Sequence, residues 1–252
     1  MTADEYLLTI LQRENVDTGF FSPVRNVQAR VEPIIREWAC GQLLAGSPSG
    51  SFAKGTANHS GTDIDLFISL AHDTTQTLKE IYNSLYTRMS VKGYAAKRQN
   101  VSINVRVDGY SVDLVPGKRQ DSYDDDHSLY RRKADTWTKT NVTTHINHVR
   151  QGYRINESRI IKLWRDQKNL DFPSFYLELT VINALRLQLG TLSDNVWKVF
   201  EYLRDSFFNA RVVDPANTNN IISDDLTVPE RAKIKVAAIQ ARNATNWNQI
   251  VT

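Results

Sequence analysis

Gly50-Ser51, followed by Asp63-Ile64-Asp65-Leu66-Phe67-Ile68-Ser69-Leu70, is the stretch whose reading decides the fold. Ile64, Leu66, Ile68 and Leu70 recur at every second position, the pattern of a strand with one buried face. Asp63 and Asp65 then share the opposite face, their backbones about 7 Å apart at a rise of roughly 3.3 Å per residue. Carboxylates that close repel, and each raises the other's pKa unless a cation sits between them. A divalent, oxygen-seeking ion such as Mg²⁺ suits that position. Upstream, Gly50 lets backbone approach a phosphate closely. The N–H groups of Ser51, Phe52 and Ala53, with the Ser51 hydroxyl, can hold a triphosphate at the start of a helical turn. Lys54 either adds charge there or faces solvent.

A helix is expected from about Thr74 to Met89. Two further alternating runs follow, Val101 to Val107 and Tyr110 to Val115. Only Asp108-Gly109 separates them, a dipeptide favoured in tight hairpins. In the second run Tyr110, Val112 and Leu114 form one face, and Ser111, Asp113 and Val115 the other. Asp113 thus lies on the less apolar face. With its strand beside the Asp63 strand, three carboxylates converge, the layout of a two-metal site for in-line attack on a phosphate. Singly, each signal is weak: an Asp-x-Asp at a strand end is more often a turn or a solvated edge. The combination at this spacing is much stronger.

Further out, Val24, Val27, Val31, Ile34, Ile35, Trp38 and Leu43 keep helical spacing, so one amphipathic helix is expected over Ser22 to Leu44. Pro33 should kink or divide it. A shorter helix is expected over Tyr6 to Leu11, and a Gly/Ser-rich stretch spans Gly46 to Gly61. After an acidic loop, Asp121 to Asp126, the chain reads as mainly helical. Helices are expected near Asn141–Gln151, Glu157–Lys168, Ser174–Leu189, Asp194–Phe208 and Val228–Asn248. The fold class is therefore α+β, with a mixed-sheet lobe over residues 1–140 and a helical lobe over 141–252.

Composition sets the outer bounds. The chain has 252 residues, 41% hydrophobic and 23% charged, which excludes collagen-like, coiled-coil and wholly disordered classes. Its longest apolar runs fall far short of the ~18 residues of a membrane span. Asp4 and Glu5 stand where a signal peptide has basic residues. One cysteine, Cys40, excludes an intramolecular disulfide and the sulfur-rich zinc sites, so a reducing, cytoplasmic setting is expected. A net charge of +3 is too mild to argue for duplex nucleic acid.

Gly50-Ser51, eleven residues, then Asp63-Ile64-Asp65-Leu66 resembles the signature of the DNA polymerase β-like nucleotidyltransferase superfamily. Asp113, in Tyr110-Ser111-Val112-Asp113-Leu114-Val115, matches its third carboxylate. The stretch GSFAKGTANHSGTDIDLFISL resembles the branch of 2′,5′-oligoadenylate synthases, cyclic GMP-AMP synthase, archaeal-type CCA-adding enzymes and the bacterial cyclic-oligonucleotide synthases (CD-NTases). The resemblance continues through Ser158-Arg159-Ile160-Ile161-Lys162-Leu163-Trp164-Arg165 and Pro173-Ser174-Phe175-Tyr176-Leu177-Glu178-Leu179. It implies that Lys162 and Ser174 contact the donor triphosphate and that Phe175 stacks on a base, with Tyr176 the rival for that role. The plainer readings are a surface lysine, a helix-capping serine and a core aromatic. Val213-Asp214-Pro215…Asn219-Asn220 resembles the family's Asp-Pro…Asn-Asn element, expected as a structured loop with local turn bonds.

The implied activity is metal-dependent formation of cyclic or short linear oligonucleotide messengers from ATP or GTP, with two Mg²⁺ or Mn²⁺ ions, in antiphage signalling. The implied further partner is a regulatory protein or RNA. Nucleotide transfer to RNA or protein, or an inactive binding module, are the alternatives. No His/Cys cluster matches a zinc site; His145 and His148, at helical spacing, lack a third ligand. The basic clusters Lys97-Arg98, Lys118-Arg119 and Arg131-Arg132-Lys133, the last on an expected strand after the acidic loop, read as nucleotide- or RNA-guiding surfaces or as solvated faces.

Overall fold

The computed structural model describes residues 1–252 except Thr18, Phe20, Phe21 and Thr62, the last within the quoted motif. The first half runs α1 (Ala3–Arg13), α2 (Pro23–Ala39), β1 (Leu43–Pro48), α3 (Gly50–Lys54), β2 (Ile64–Leu70), α4 (Leu78–Val91), β3 (Lys97–Arg98), β4 (Ile103–Val107) and β5 (Tyr110–Arg119). It continues with β6 (His127–Arg131), β7 (Thr136–Thr140), α5 (Val142–Gln151), α6 (Ile155–Gln167), α7 (Ser174–Ala184), α8 (Leu192–Asp205), β8 (Val213–Asp214), β9 (Asn217–Ile221) and α9 (Val228–Arg242). Two compact units emerge. The sheet unit holds residues 17–54 and 62–146; the helical unit holds 1–16, 55–61 and 147–252, so the division falls within α5.

In the sheet unit the order is β1-β2-β5-β4-β3, with β6 also pairing β5, and β7 pairing β6. β2 and β5 run parallel, and the other pairs are antiparallel. The hairpin turn has the two positive φ angles of a type I′ turn, +50° at Asp108 and +86° at Gly109. β5 is long enough to pair β4 over its first half and β6 at its end. Ile64, Leu66, Ile68, Val112 and Leu114 are buried, as their alternation requires. Phe67 and Ser69 are buried too, because β2 is a central strand; Asp65 alone on it is half-buried.

Three expectations need correction. Pro33 does not divide its helix: α2 runs unbroken through it. Pro33 is exposed, so water can take the carbonyl that its missing N–H releases. The helix also ends at Ala39, not Leu44, because Cys40 turns left-handed at φ +47° and the chain enters β1. The third concerns β6 and β7: a strand was expected only at Arg131–Lys133, with mainly helical chain around it. Neither strand alternates cleanly, since Leu129 and Tyr130 are adjacent and both buried in β6, and the one large apolar residue of β7, Trp137, is exposed.

The core of the helical unit gathers α1, α6, α7, α8 and α9 around Trp164, Tyr176, Phe200 and Phe207. Capping boxes start four helices: Thr2/Glu5, Thr77/Glu80, Thr191/Asp194 and Thr227/Glu230. α7 stops at Ala184 and α9 at Arg242, both earlier than the periodicity suggested. The Asp-Pro…Asn-Asn element is the β8–β9 hairpin. Buried Asp214 accepts the Ala216 N–H at 2.8 Å and the Asn220 amide at 3.1 Å, the local bonds expected.

Candidate active site

Parallel pairing of β2 with β5 puts Asp65 directly opposite Asp113 in the register, as the two-strand reading requires. Asp63 lies one residue before β2 and is exposed, so it precedes the strand instead of sharing its face. Gly50 opens α3 with φ +54°, a conformation that side chains disfavour. A Cβ there would stand 1.7 Å from Asp65 Oδ2, so only glycine lets this backbone lie against the carboxylate. The Ser49 N–H donates to the Asp65 carbonyl at 2.8 Å, tying the turn to the strand. Lys54 is only 7% exposed, which corrects the solvent-facing alternative.

Asp113 is held by amides. Asn104 Nδ2 donates to its Oδ1 at 2.7 Å and Gln99 Nε2 to the same oxygen at 3.1 Å. Burial pushes the Asp113 carboxyl up from its ordinary value, and the negative charge of Asp63 adds to that; the Asn104 bond works against it. Asn104 was not singled out from the sequence, yet its signal was there. A two-residue turn at Asp108-Gly109 fixes the hairpin register, and that register sets Asn104 across from Asp113.

The donor chemistry of Asp63, Asp65 and Asp113 fits a divalent cation: three carboxylates, like charge raising one of them, and an amide-fixed oxygen. Their side chains do not close into a cage. Among the described residues no group of three or more His, Cys, Asp or Glu is gathered tightly enough to hold a metal.

The helical unit carries the remaining predicted residues. Lys162 is 4% exposed and Glu178 0%; their ion pair is 2.6 Å long. Ser174 is the first residue of α7, where the resemblance expects phosphate, and its hydroxyl accepts from Arg165 Nη1 at 2.8 Å. Phe175 is half-buried and packs against the core. Tyr176 is fully buried, edge-on to Phe172 with ring centres 5.2 Å apart. Burial pushes its phenol up to about 12. A ring without exposed surface cannot receive a base, so the structure removes Tyr176 as a stacker. Arg165, Thr56 and Glu178 were missed; all three sit in motif stretches that were read only for their neighbours.

The basic clusters are partly committed elsewhere. The Arg98 guanidinium lies 3.8 Å over the Tyr86 ring, Lys118 donates to the Thr74 carbonyl at 2.6 Å, and Arg132 donates to the Gln99 carbonyl at 3.0 Å. Among the described residues no helix is long and apolar enough to cross a membrane.

The fold is that of solved CD-NTase nucleotidyltransferase structures, as the resemblance implied. The particular likeness is to bacterial CD-NTases. The cyclic AMP-AMP-AMP synthase of Escherichia coli (strain MS 115-1) is 24% identical over 230 residues, covering 81% of this chain and 72% of that protein. The E. coli MS115-1 CdnC structure in complex with HORMA-deltaN superposes with a TM-score of 0.76 at 19% identity, over 98% of this chain and 96% of that one. The CD-NTase CdnG of Bradyrhizobium diazoefficiens, in complex with GTP, gives 0.77 at 13% identity, over 98% and 95%. No family model matches the chain.

Proposed function

We propose that this chain is a metal-dependent nucleotidyltransferase that makes cyclic or short linear oligonucleotides from nucleoside triphosphates. The observation that carries the reading is the in-register pair Asp65 and Asp113, with Gly50 pressed against one and the charge of Asp63 acting on the other. In this reaction an acceptor hydroxyl oxygen bonds to the α-phosphorus, the bond to pyrophosphate breaks, and the hydroxyl proton leaves to a base. Asp113, raised in pKa and fixed by Asn104 and Gln99, is the group suited to hold that proton. Asp63, Asp65 and Asp113 would hold two Mg²⁺ or Mn²⁺ ions, which supply positive charge against the phosphate oxygens. Gly50 and Ser51 are suited to the triphosphate, Lys162 and Ser174 to its phosphates and Phe175 to a base.

The sheet unit, residues 17–54 and 62–146, is the catalytic lobe and the helical unit, 1–16, 55–61 and 147–252, holds nucleotide, so α1 and residues 55–61 leave the catalytic lobe that a division at residue 140 gives them. ATP and GTP are the favoured substrates, in keeping with the names of the relatives. The HORMA-deltaN complex of the E. coli protein supports a regulatory protein partner. Antiphage signalling in the cytoplasm rests on analogy with bacterial relatives. The test is mass spectrometry of products after incubation with all four ribonucleoside triphosphates and Mg²⁺ or Mn²⁺. Cyclic or short linear products with pyrophosphate are expected. Labelling of an added RNA or protein alone, or nucleotide binding with no turnover, would overturn the reading.

A further inference from the structure

The sheet face that carries Asp65 and Asp113 continues beyond them. Phe67 and Ser69 follow Asp65 on that face of β2, and Gly117 and Arg119 follow Asp113 on β5. Ser69 stands opposite Gly117 in the register. Where the first turns of α5 cover this end of the sheet lies a cavity of about 330 Å³. Leu44, Phe67, Val142 and Ile146 give it apolar walls; Ser69, Arg119 and His127 give it polar ones. Ser69 lies four residues past Asp65, about 13 Å at a rise of roughly 3.3 Å per residue. Phe67 stands between the two. A Cβ on Gly117 would come 2.6 Å from the Phe67 ring, so that ring lies over the glycine. The cavity is thus walled off from the carboxylates, and every residue lining it belongs to the sheet unit.

The polar groups of the cavity have a fixed sense. The Asp125 carbonyl can only accept, so His127 Nδ1, 2.7 Å away, carries the ring proton. Burial keeps this imidazole neutral, and its bare Nε2 accepts from the Ser69 hydroxyl at 2.8 Å. Having spent its proton, Ser69 offers a ligand only lone pairs. Arg119 is the opposite case. Its Nη2 pairs with Asp125, while its Nε–H is buried without an acceptor. A buried donor left unmet costs free energy and calls for a partner. Charge is already matched here: Asp125 takes Arg119 and also accepts from the Thr143 hydroxyl at 3.4 Å, at the positive start of α5. One donor, one acceptor, apolar walls and balanced charge suit a small neutral ring system.

We propose that this cavity binds a neutral planar heterocycle with an N–H beside a carbonyl oxygen or ring nitrogen, at a site distinct from that of the substrate nucleotides. The ligand N–H is given to Ser69 Oγ, its neighbour accepts from Arg119 Nε, and the rings lie against the apolar walls. The site does not depend on the nucleotidyltransferase reading. The probe is inosine, whose base presents an N–H next to a carbonyl; N1-methylinosine, with that N–H blocked, is the control. Calorimetry should give a dissociation constant below about 1 mM, unchanged by excess Mg²⁺ and a non-reacting ATP analogue. The His127 ring signal in NMR, assigned by its loss in His127→Gln, should move on binding. The amides of Thr144, His145 and Ile146 should exchange more slowly, by about threefold or more, as the ligand holds α5 to the sheet. N1-methylinosine should bind about tenfold or more weakly, and so should inosine to Ser69→Ala or to Arg119→Lys, which keeps the charge and loses Nε. Val142→Phe, which fills the cavity, should melt as the parent chain does and bind no inosine. Inosine that the ATP analogue displaces, or that leaves the His127 signal in place, would overturn the site. So would no binding by the parent chain, equal binding of the methylated control, or parent-like binding by Val142→Phe.

Discussion

The sheet unit brings like charges together, whereas the helical unit matches opposite ones. Asp113 stands in register with Asp65, feels the charge of Asp63, and has a raised pKa. Lys162 and Glu178 neutralise each other in the dry interior of the helical unit. Carboxylates crowded on a half-buried face cost stability, and the arrangement makes sense only if a ligand relieves it. A buried ion pair is close to neutral in stability but resists the loss of either member. The first arrangement therefore calls for a ligand, whereas the second holds its charges in balance without one.

The comparison can be broken most sharply by neutralising one acid in each unit. Asp113→Asn should lower pyrophosphate release by roughly 10²–10⁴-fold, as loss of a general base does. The same change should raise Tm, because a carboxyl whose folded pKa is raised costs stability once ionised. Glu178→Ala should do the reverse for the fold, with a loss of about 3–5 kcal/mol in denaturant unfolding from the unpaired buried lysine. A destabilised Asp113→Asn, or a Glu178→Ala as stable as the parent, would erase the contrast. Gly50→Ala, which sets a methyl against Asp65, should cost about 100-fold in turnover through misplacement of the catalytic backbone.

A smaller effect sharpens the helical side. Phe175→Ala should weaken nucleotide binding by about 1–3 kcal/mol in calorimetry if its ring receives a base. Unchanged affinity in a folded variant returns Phe175 to the core. The smallest effect is a pH slope in the sheet unit. Burial holds the His127 imidazole below its ordinary 6.5, with its ring bonded to Ser69 Oγ at 2.8 Å and the Asp125 carbonyl at 2.7 Å. The unfolded chain therefore takes up the proton first. Stability should be flat above pH 6.5 and fall below it, and His127→Gln should flatten that fall in a series of melts.

Much of the sheet unit was legible in advance. Period-two alternation found β2, β4 and β5, the Asp108-Gly109 turn named its own hairpin, and Asp113 fell on the less apolar face. β6 and β7, beyond the strand expected at Arg131–Lys133, escaped because neither alternates cleanly, and β1 because it lies in a stretch rich in glycine and serine. In the helical unit the helices were legible, but an offset of one residue left Tyr176 a rival to Phe175 as the stacker. Burial separates them: Tyr176 is fully buried and Phe175 is not.

The sequence by itself determined which groups stand two apart on a strand and which turn joins two strands, since those follow from backbone periods of a few residues. It also carried the spacing from Gly50-Ser51 to Asp63. Only the tertiary structure decided that β2 lies parallel to β5 with Asp65 opposite Asp113, and that Lys162 meets Glu178 and Thr56. Those contacts join residues far apart in the chain. They depend on which buried surfaces pack and which buried charges find partners, and no local period encodes that.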